Sequence, residues 1–270
     1  MELRGRHVVV TGGAGGIGAA LGRRAAAAGA AGVVLADIDG EAASAVAADI
    51  EAGGAAAIGV GADVGTDAGI AALVSEAERR FGPIEIFCSN AGIPGPFGGP
   101  EVGDAEWQRI WEVNVMAHIR AARHLLPGML ERGSGHINST ASAAGLLANH
   151  GLMPYSVTKH AAVAVAEWLQ ITYGGSGVEF SCFCPLGVAT PMLEAWHRED
   201  PSSKLTSGEA ISPERAAETL LEGIEAGRFL ILTPPEVLTY MQRRAADPER
   251  WLAGMQRLQS RIEEARAEGI

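Results

Sequence analysis

The chain alternates short, fully apolar runs with longer stretches of helical periodicity. His7 to Val10 is a β-branched run ending at Thr11. GGAGGIG follows, then an Ala-rich stretch to Ala28, which together predict strand, glycine turn and helix. Gly32 to Ala36 predicts a second strand, closed by Asp37, and the pattern then repeats. Gly40 to Gly53 reads as helix, Ala56 to Gly61 as strand, Thr66 to Phe81 as helix and Ile84 to Cys88 as strand.

A Gly/Pro-rich loop from Ile93 to Gly103 contains Phe97 and leads into one long helix from Asp104, its expected N-cap, to Leu126. His136 to Ser139 predicts a fifth strand. The next helix opens after Pro154 and runs to about Tyr173, with Val157, Ala161, Val165 and Trp168 as its apolar face. Glu179 to Cys184 reads as a sixth strand, 185–211 as a long connection, Ser212-Pro213 as a helix start and Phe229 to Leu232 as the last strand. Strands alternating with helices at this spacing predict an α/β fold. The expected architecture is a Rossmann-type doubly wound parallel sheet of about seven strands with helices on both faces. The whole chain, 1–270, reads as one domain, with 193–212 (chiefly Leu193 to Ser207) as a lid over the substrate and 234–270 as a charged helical tail. Tyr240, Met241, Trp251, Met255 and Leu258 are the tail's candidate contacts.

Ligands of such sheets bind beyond the carboxyl ends of the strands, so residues just past strand ends are the candidates. Gly12, Gly16 and Gly18, with Ile17 between the last two, fit a T-G-x-x-x-G-x-G loop. There, missing side chains let backbone N–H groups and a helix N-terminus approach a pyrophosphate. Asp37 ends the second strand, where an acid accepts hydrogen bonds from ribose hydroxyls and repels a 2′-phosphate. Ala14 offers no compensating cation, so NAD is favoured over NADP. Asp63-Val64 and Asn90-Ala91-Gly92 follow the third and fourth strands.

Tyr155 and Lys159 are one turn apart and project from one helix face. A phenol titrates near pH 10, too high for acid–base work at neutrality, and a fixed ammonium favours its phenolate. At ~4 Å that attraction is about 1 kcal/mol in water and about 4 kcal/mol at an effective dielectric near 20. Only the larger figure, roughly three pK units, brings a tyrosine near 7, so the pair demands a dry site.

Composition removes several function classes. Hydrophobic residues make up 47% and charged residues 20%, enough apolar material for a sizeable core. A net charge of −11 argues against a nucleic-acid partner. Cys88, Cys182 and Cys184 suggest neither a disulfide framework nor a zinc site, and the last two fall on one face of a strand. The start of the sequence lacks a signal-like apolar region and no stretch has the ~20 apolar residues of a membrane span, so a soluble cytoplasmic protein with no membrane contact is expected. With no carboxylate cluster beside His150 or His197, no catalytic metal is expected.

TGGAGGIG, Asp37, Asp63-Val64, Asn90-Ala91-Gly92, Asn114, Ser142, the YSVTK segment at 155–159 and Thr190, in this order and spacing, resemble the short-chain dehydrogenase/reductase family over roughly 6–232. The resemblance implies an Asn114-Ser142-Tyr155-Lys159 tetrad. Tyr155 would be the general acid/base and Lys159 would lower its pKa and bind the nicotinamide ribose. Ser142 would hydrogen-bond the substrate oxygen, and Asn114 would hold a water linking Lys159 to solvent. It also implies Thr190 and the Val188 backbone near the carboxamide of NAD, and a homotetramer (or dimer) built on the helices beginning near Asp104 and Pro154. Pro185-Leu186-Gly187 stands where the family has Pro-Gly, Ser89 where an Asn is common, and Asn138-Ser139 where an apolar residue and Asn are usual. Ile93, Phe97, His150, Met153, Met192 and Trp196 are expected at the substrate, which as a mainly apolar set predicts a small-molecule hydrophobic secondary alcohol or ketone. The competing readings are an NADPH-dependent 3-oxoacyl-thioester reductase, disfavoured by Asp37 and the acidic charge, and a non-catalytic NAD-sensing protein, disfavoured by the intact tetrad.

Overall fold

In the computed structural model, which describes residues 1–268, the apolar runs form seven parallel strands. They are β1 (His7–Thr11), β2 (Gly32–Asp37), β3 (Ala57–Gly61), β4 (Ile86–Ser89), β5 (Gly135–Thr140), β6 (Val178–Pro185) and β7 (Leu230–Thr233). Their order in the sheet is β3-β2-β1-β4-β5-β6-β7. The chain winds outward from β1 to β3, then returns to place β4 on the other side of β1. The resulting crevice between β1 and β4 is the ligand position of a doubly wound sheet.

Alternating side chains of each strand enter opposite layers. Val8, Val10, Val33 and Leu35 pack with α1 (Gly16–Ala27), α2 (Gly40–Ala52) and α9 (Pro213–Glu225). Val9, Val34 and Ala36 pack with α3 (Asp67–Phe81), α5 (Ala117–Arg132) and the end of α6 (Met153–Tyr173). Every residue of β1 is buried, which is why its run is continuously apolar rather than alternating. Each such valine contributes roughly 1.5–3 kcal/mol by burial.

The expected helix 104–126 is not one uniform helix. α4 (Asp104–Trp111) passes through a π turn at Glu112–Met116 into α5, which extends to Arg132. Gly103, not Asp104, is the N-cap, and Asp104 is the first helical residue with no capping hydrogen bond. Met153 and Pro154 open α6, one residue earlier than the sequence suggests. Ser212 caps α9 as expected, its hydroxyl accepting from the Arg215 N–H at 3.2 Å.

The connection 185–211 and the tail are largely helical: α7 (Pro191–Glu199), a 3₁₀ turn at Pro201–Ser203, α8 (Lys204–Ser207), α10 (Glu236–Ala246) and α11 (Pro248–Glu268). Arg266 of α11 pairs with the buried Asp200, tying the lid region to the tail. Cys182 and Cys184 face one layer with their sulfurs 3.7 Å apart, among Ala141, Ala162 and Val163. No described helix is long and apolar enough to cross a membrane.

Candidate active site

The floor of the β1–β4 crevice is locked by one threonine and one asparagine. Thr11 Oγ1 accepts from the backbone N–H groups of Asn90 and Ala91 at 2.9 and 3.0 Å, while Asn90 Nδ2 donates to the Thr11 carbonyl at 3.0 Å. Above this floor the glycine turn enters α1 with Gly16 at φ +50, a conformation that favours glycine. Gly18 packs so close that a Cβ there would stand 1.9 Å from the Gly12 carbonyl oxygen. Gly18→Ala is therefore expected to displace the turn, weakening dinucleotide binding at least tenfold and lowering the melting temperature; calorimetric titration and thermal unfolding of the variant check both.

The carboxylate of Asp37 accepts from the Ala14 N–H at 3.1 Å and the Asp39 N–H at 3.2 Å. With Gly12, Gly16, Ile17, Gly18, Asn90, Ala91, Gly92, Tyr155, Lys159 and Thr190 it lines one cleft of about 280 Å³. Three expected cofactor residues lie outside the cleft lining. Asp63 caps its own turn, accepting from the Gly65 N–H at 2.9 Å, Val64 is buried in the α3/α5 layer, and Val188 is bridged to Ile211 in the α9 layer. Met192 lines the nucleotide cleft rather than the expected substrate cavity, because α7 begins at Pro191 directly over the crevice.

Beyond the strand ends lies a second cavity of about 390 Å³, lined by Ser142, Leu147, Leu152, Tyr155, Leu186, Leu193 and Trp196 among others. Of the expected substrate residues, His150 and Trp196 line it. Ile93 and Phe97 pack behind, in the cluster of Ile110, Ala144, Leu152 and Tyr155. Met153 is 42% exposed and, with Phe97, borders a separate surface depression near Arg266, since the first turn of α6 directs it away from the cavity. Leu186, which replaces the family's glycine, takes an ordinary backbone φ and turns its side chain to this cavity.

Tyr240, Trp251, Met255 and Leu258 close the cavity from the tail; Met241, the fifth candidate, does not line it. His150 Nδ1 lies 2.9 Å from Gln259 Oε1 of α11. Sequence periodicity marks α10 and α11 as amphipathic but does not say which wall they complete.

Among the described residues, Tyr155 alone lines both the cleft and the cavity. It is 7% exposed, its ring meeting Trp196 edge-on at 5.1 Å. Burial pushes its hydroxyl up to about 12, against the lowering effect of a hydrogen bond with Ser142. Ser142 Oγ accepts from the Ala144 N–H at 3.1 Å, which fixes its rotamer. Lys159, 3% exposed, places Nζ 5.7 Å from the Tyr155 ring centre and donates to the Thr140 carbonyl at 3.0 Å. Burial pulls Lys159 down to about 8. The dry site demanded by the Tyr155–Lys159 pair is thus built by the protein itself, but desolvation outweighs attraction while the ammonium points at Thr140.

Asn114 sits in the π turn, fully buried. Its Nδ2 donates to the Ile93 carbonyl at 2.9 Å and Thr158 Oγ1 at 3.3 Å, and its Oδ1 accepts from the Ile93 N–H at 2.9 Å. A Cβ on Gly92 would stand 3.2 Å from Lys159 Nζ and 3.3 Å from Asn114 Oδ1, so the missing side chain leaves the gap between lysine and asparagine open. One turn on, His118 is buried with both ring nitrogens unpartnered among the described residues. Burial, helped by the charge of Lys159, pushes it down to about 3, so it is a neutral imidazole. Its only signal in the sequence is the four-residue step from Asn114.

This arrangement has close relatives. Residues 6–201 match the short chain dehydrogenase family model. Over 236 residues the chain is 39% identical to a 1-deoxy-11-beta-hydroxypentalenate dehydrogenase of Streptomyces exfoliatus, covering 86% of this chain and 84% of that one. It is 32% identical over 201 residues to 17-beta-hydroxysteroid dehydrogenase 13 of Rattus norvegicus, covering 73% and 65%. The structure of a short chain dehydrogenase/reductase from Burkholderia phymatum in complex with NAD superimposes with a TM-score of 0.85 at 30% identity, covering 92% of this chain and 96% of that one. A glycine cradle between β1 and α1, a Tyr155–Lys159 pair at the strand ends and a family match over most of its length make this chain a member of the short chain dehydrogenase family.

Proposed function

We propose that the protein interconverts a hydrophobic secondary alcohol and its ketone, with NAD as hydride acceptor or donor. The single observation that carries this reading is that Tyr155, alone among the described residues, faces both the nucleotide cleft and an apolar cavity. The groups around the cleft suit a nicotinamide dinucleotide: a glycine turn in which a side chain on Gly18 would collide with Gly12, an acid at the end of β2 and a lysine at the inner end. When bound there, that cofactor supplies the hydride chemistry.

The chain's own residues do the rest. Tyr155 exchanges a proton with the substrate oxygen, as acid in reduction and base in oxidation. Ser142, held by the Ala144 N–H, hydrogen-bonds the same oxygen. Lys159 supplies positive charge near the phenol once its ammonium is drawn away from Thr140. Asn114 has committed both Nδ2 protons, so it acts through Oδ1, across the gap over Gly92, on water that reconnects Lys159 with solvent. Thr190 caps α7 and lines the inner cleft, where the carboxamide would sit. The hydroxypentalenate and hydroxysteroids for which these relatives are named support an apolar alcohol. A screen of neutral secondary alcohols and ketones tests the reading; turnover confined to polyols and sugars would sink it.

The preference for NAD over NADP rests on Asp37, whose carboxylate lines the cleft without a neighbouring cation. Asp37→Ala is expected to lower the NAD/NADP ratio of kcat/KM by at least tenfold, as removal of one charge repulsion worth about 1.4 kcal/mol requires. An NADP preference in the parent protein would overturn the argument. We further propose a cytoplasmic homotetramer: Val157, Trp168 and Ile171 leave an apolar stripe exposed on α6, which supports burial against another copy. A monomeric mass in solution would contradict it.

A further inference from the structure

Arg243 of α10 is the one charged residue among the described residues lining the 390 Å³ cavity. With Trp251 and Met255 it also walls a second groove of about 590 Å³, to which Arg250 and Arg257 belong. Cavity and groove therefore share a wall, and a guanidinium stands in it. Arg257 reaches over Gly254, its Nη2 3.7 Å from where a Cβ would be.

Several arginines elsewhere in the molecule pair with an acid, as Arg23 does with Asp49 and Arg123 with Asp67. Arg243, Arg250 and Arg257 form no ion pair among the described residues. The acid in the groove, Asp247, points Oδ1 at the Arg250 N–H at 3.0 Å and caps α11, leaving three positive charges to one negative. On a chain of net charge −11 this is a local reversal of sign.

We propose that the substrate carries an oxyanionic group at the end remote from its carbinol carbon, received by Arg243 where cavity meets groove. A longer substrate carries that group on to Arg250 and Arg257. Guanidinium pairs bidentately with carboxylate and sulfonate-type oxygens, and the apolar wall between Tyr155 and Arg243 takes the body of the molecule. This rests on the reading that Tyr155 acts on an alcohol in the same cavity.

The test uses lithocholate, a steroid alcohol with a distant carboxylate, its neutral methyl ester, and its longer taurine conjugate, which ends in a sulfonate. Binding to the intact protein is followed by tryptophan fluorescence, since Trp196 and Trp251 line the site. Lithocholate is expected to bind at least about tenfold more tightly than the ester, an advantage that shrinks with added sodium chloride. In Arg243→Gln the acid-to-ester ratio falls to about one. In the double variant Arg250→Gln, Arg257→Gln it falls for the taurine conjugate more than for lithocholate. Circular dichroism of each variant reports that it has folded.

Equal affinity for acid and ester, binding of neither, or a ratio untouched by Arg243→Gln would overturn the proposal. A larger preference for the sulfonate than for the carboxylate identifies the outer groove as the principal anion site. Turnover of neutral alcohols is read separately, so loss of the acid preference with turnover retained fails this inference alone.

Discussion

Tyr155→Phe is expected to lower kcat by about three orders of magnitude while leaving NAD affinity within about twofold of the parent. The substitution removes one oxygen, and with it the hydroxyl of the one described residue that faces both cleft and cavity. Positioned acid–base groups contribute 10²–10⁴-fold to rate. The ring keeps its edge-on contact with Trp196 and its place among Ile110, Ala144 and Leu152, so neither the fold nor the cleft loses support. The hydroxyl is held near 12 by burial, so the parent enters the reductive direction with its proton in place. Single-turnover kinetics beside a titration with NAD separate the two effects, and unimpaired turnover would remove Tyr155 from the mechanism.

Lys159→Met should also abolish most activity, at least about 100-fold, yet make the free protein more stable at neutral pH. The sign follows from burial. The folded-state value falls from 10.5 to about 8, which corresponds to about 3 kcal/mol spent on holding the charge out of water. Leaving the Thr140 carbonyl without its donor returns about 1 kcal/mol, so a net gain of about 2 kcal/mol is expected for methionine. Below pH 8 both folded and unfolded parent carry the proton, and the penalty is fully present. Between 8 and 10.5 the folded lysine sheds its proton before the unfolded one, so the parent gains stability as pH rises and the advantage of the variant fades. Urea unfolding at neutral and at alkaline pH measures this directly; a variant less stable at both would show that Lys159 is held by more than one carbonyl.

The two expectations together describe a site that sacrifices stability for charge placement. Buried within a few residues are a protonated phenol, a strained ammonium and the neutral imidazole of His118. Satisfied polar contacts hold the frame around them, chiefly Asn114 against Ile93 and Asn90 against Thr11. Such partition between a rigid frame and unsettled titratable groups is how sites obtain pKa values that move when a ligand arrives.

Asn138, unusual for its position, illustrates how the frame absorbs departures from the family pattern. Its Nδ2 donates to Thr140 Oγ1 at 3.2 Å and its Oδ1 accepts from Ser181 Oγ at 3.0 Å, with His136 Nε2 2.8 Å from the same serine oxygen. A buried amide is tolerable because its own strand supplies a partner for one end and the neighbouring strand for the other.

Local chemistry made much of this protein readable without coordinates. Seven apolar runs separated by helical stretches dictate a doubly wound sheet, because each strand is too apolar to face water and each connection is long enough only for a crossover helix. The glycine loop and the Tyr155–Lys159 step are legible for the same reason: their geometry is set within one turn or one helix. What lies outside such short range was decided by packing. Whether Asp63, Val64 and Val188 reach the cleft, and whether Met192 belongs to cofactor or substrate, depends on how neighbouring elements dock. The π turn at Asn114, the isolation of His118 and the closure of the cavity by Tyr240, Arg243 and Trp251 join residues far apart in the chain. Periodicity reports that a helix has an apolar face; only the tertiary structure decides what that face covers, since burial is a property of the partner as much as of the helix.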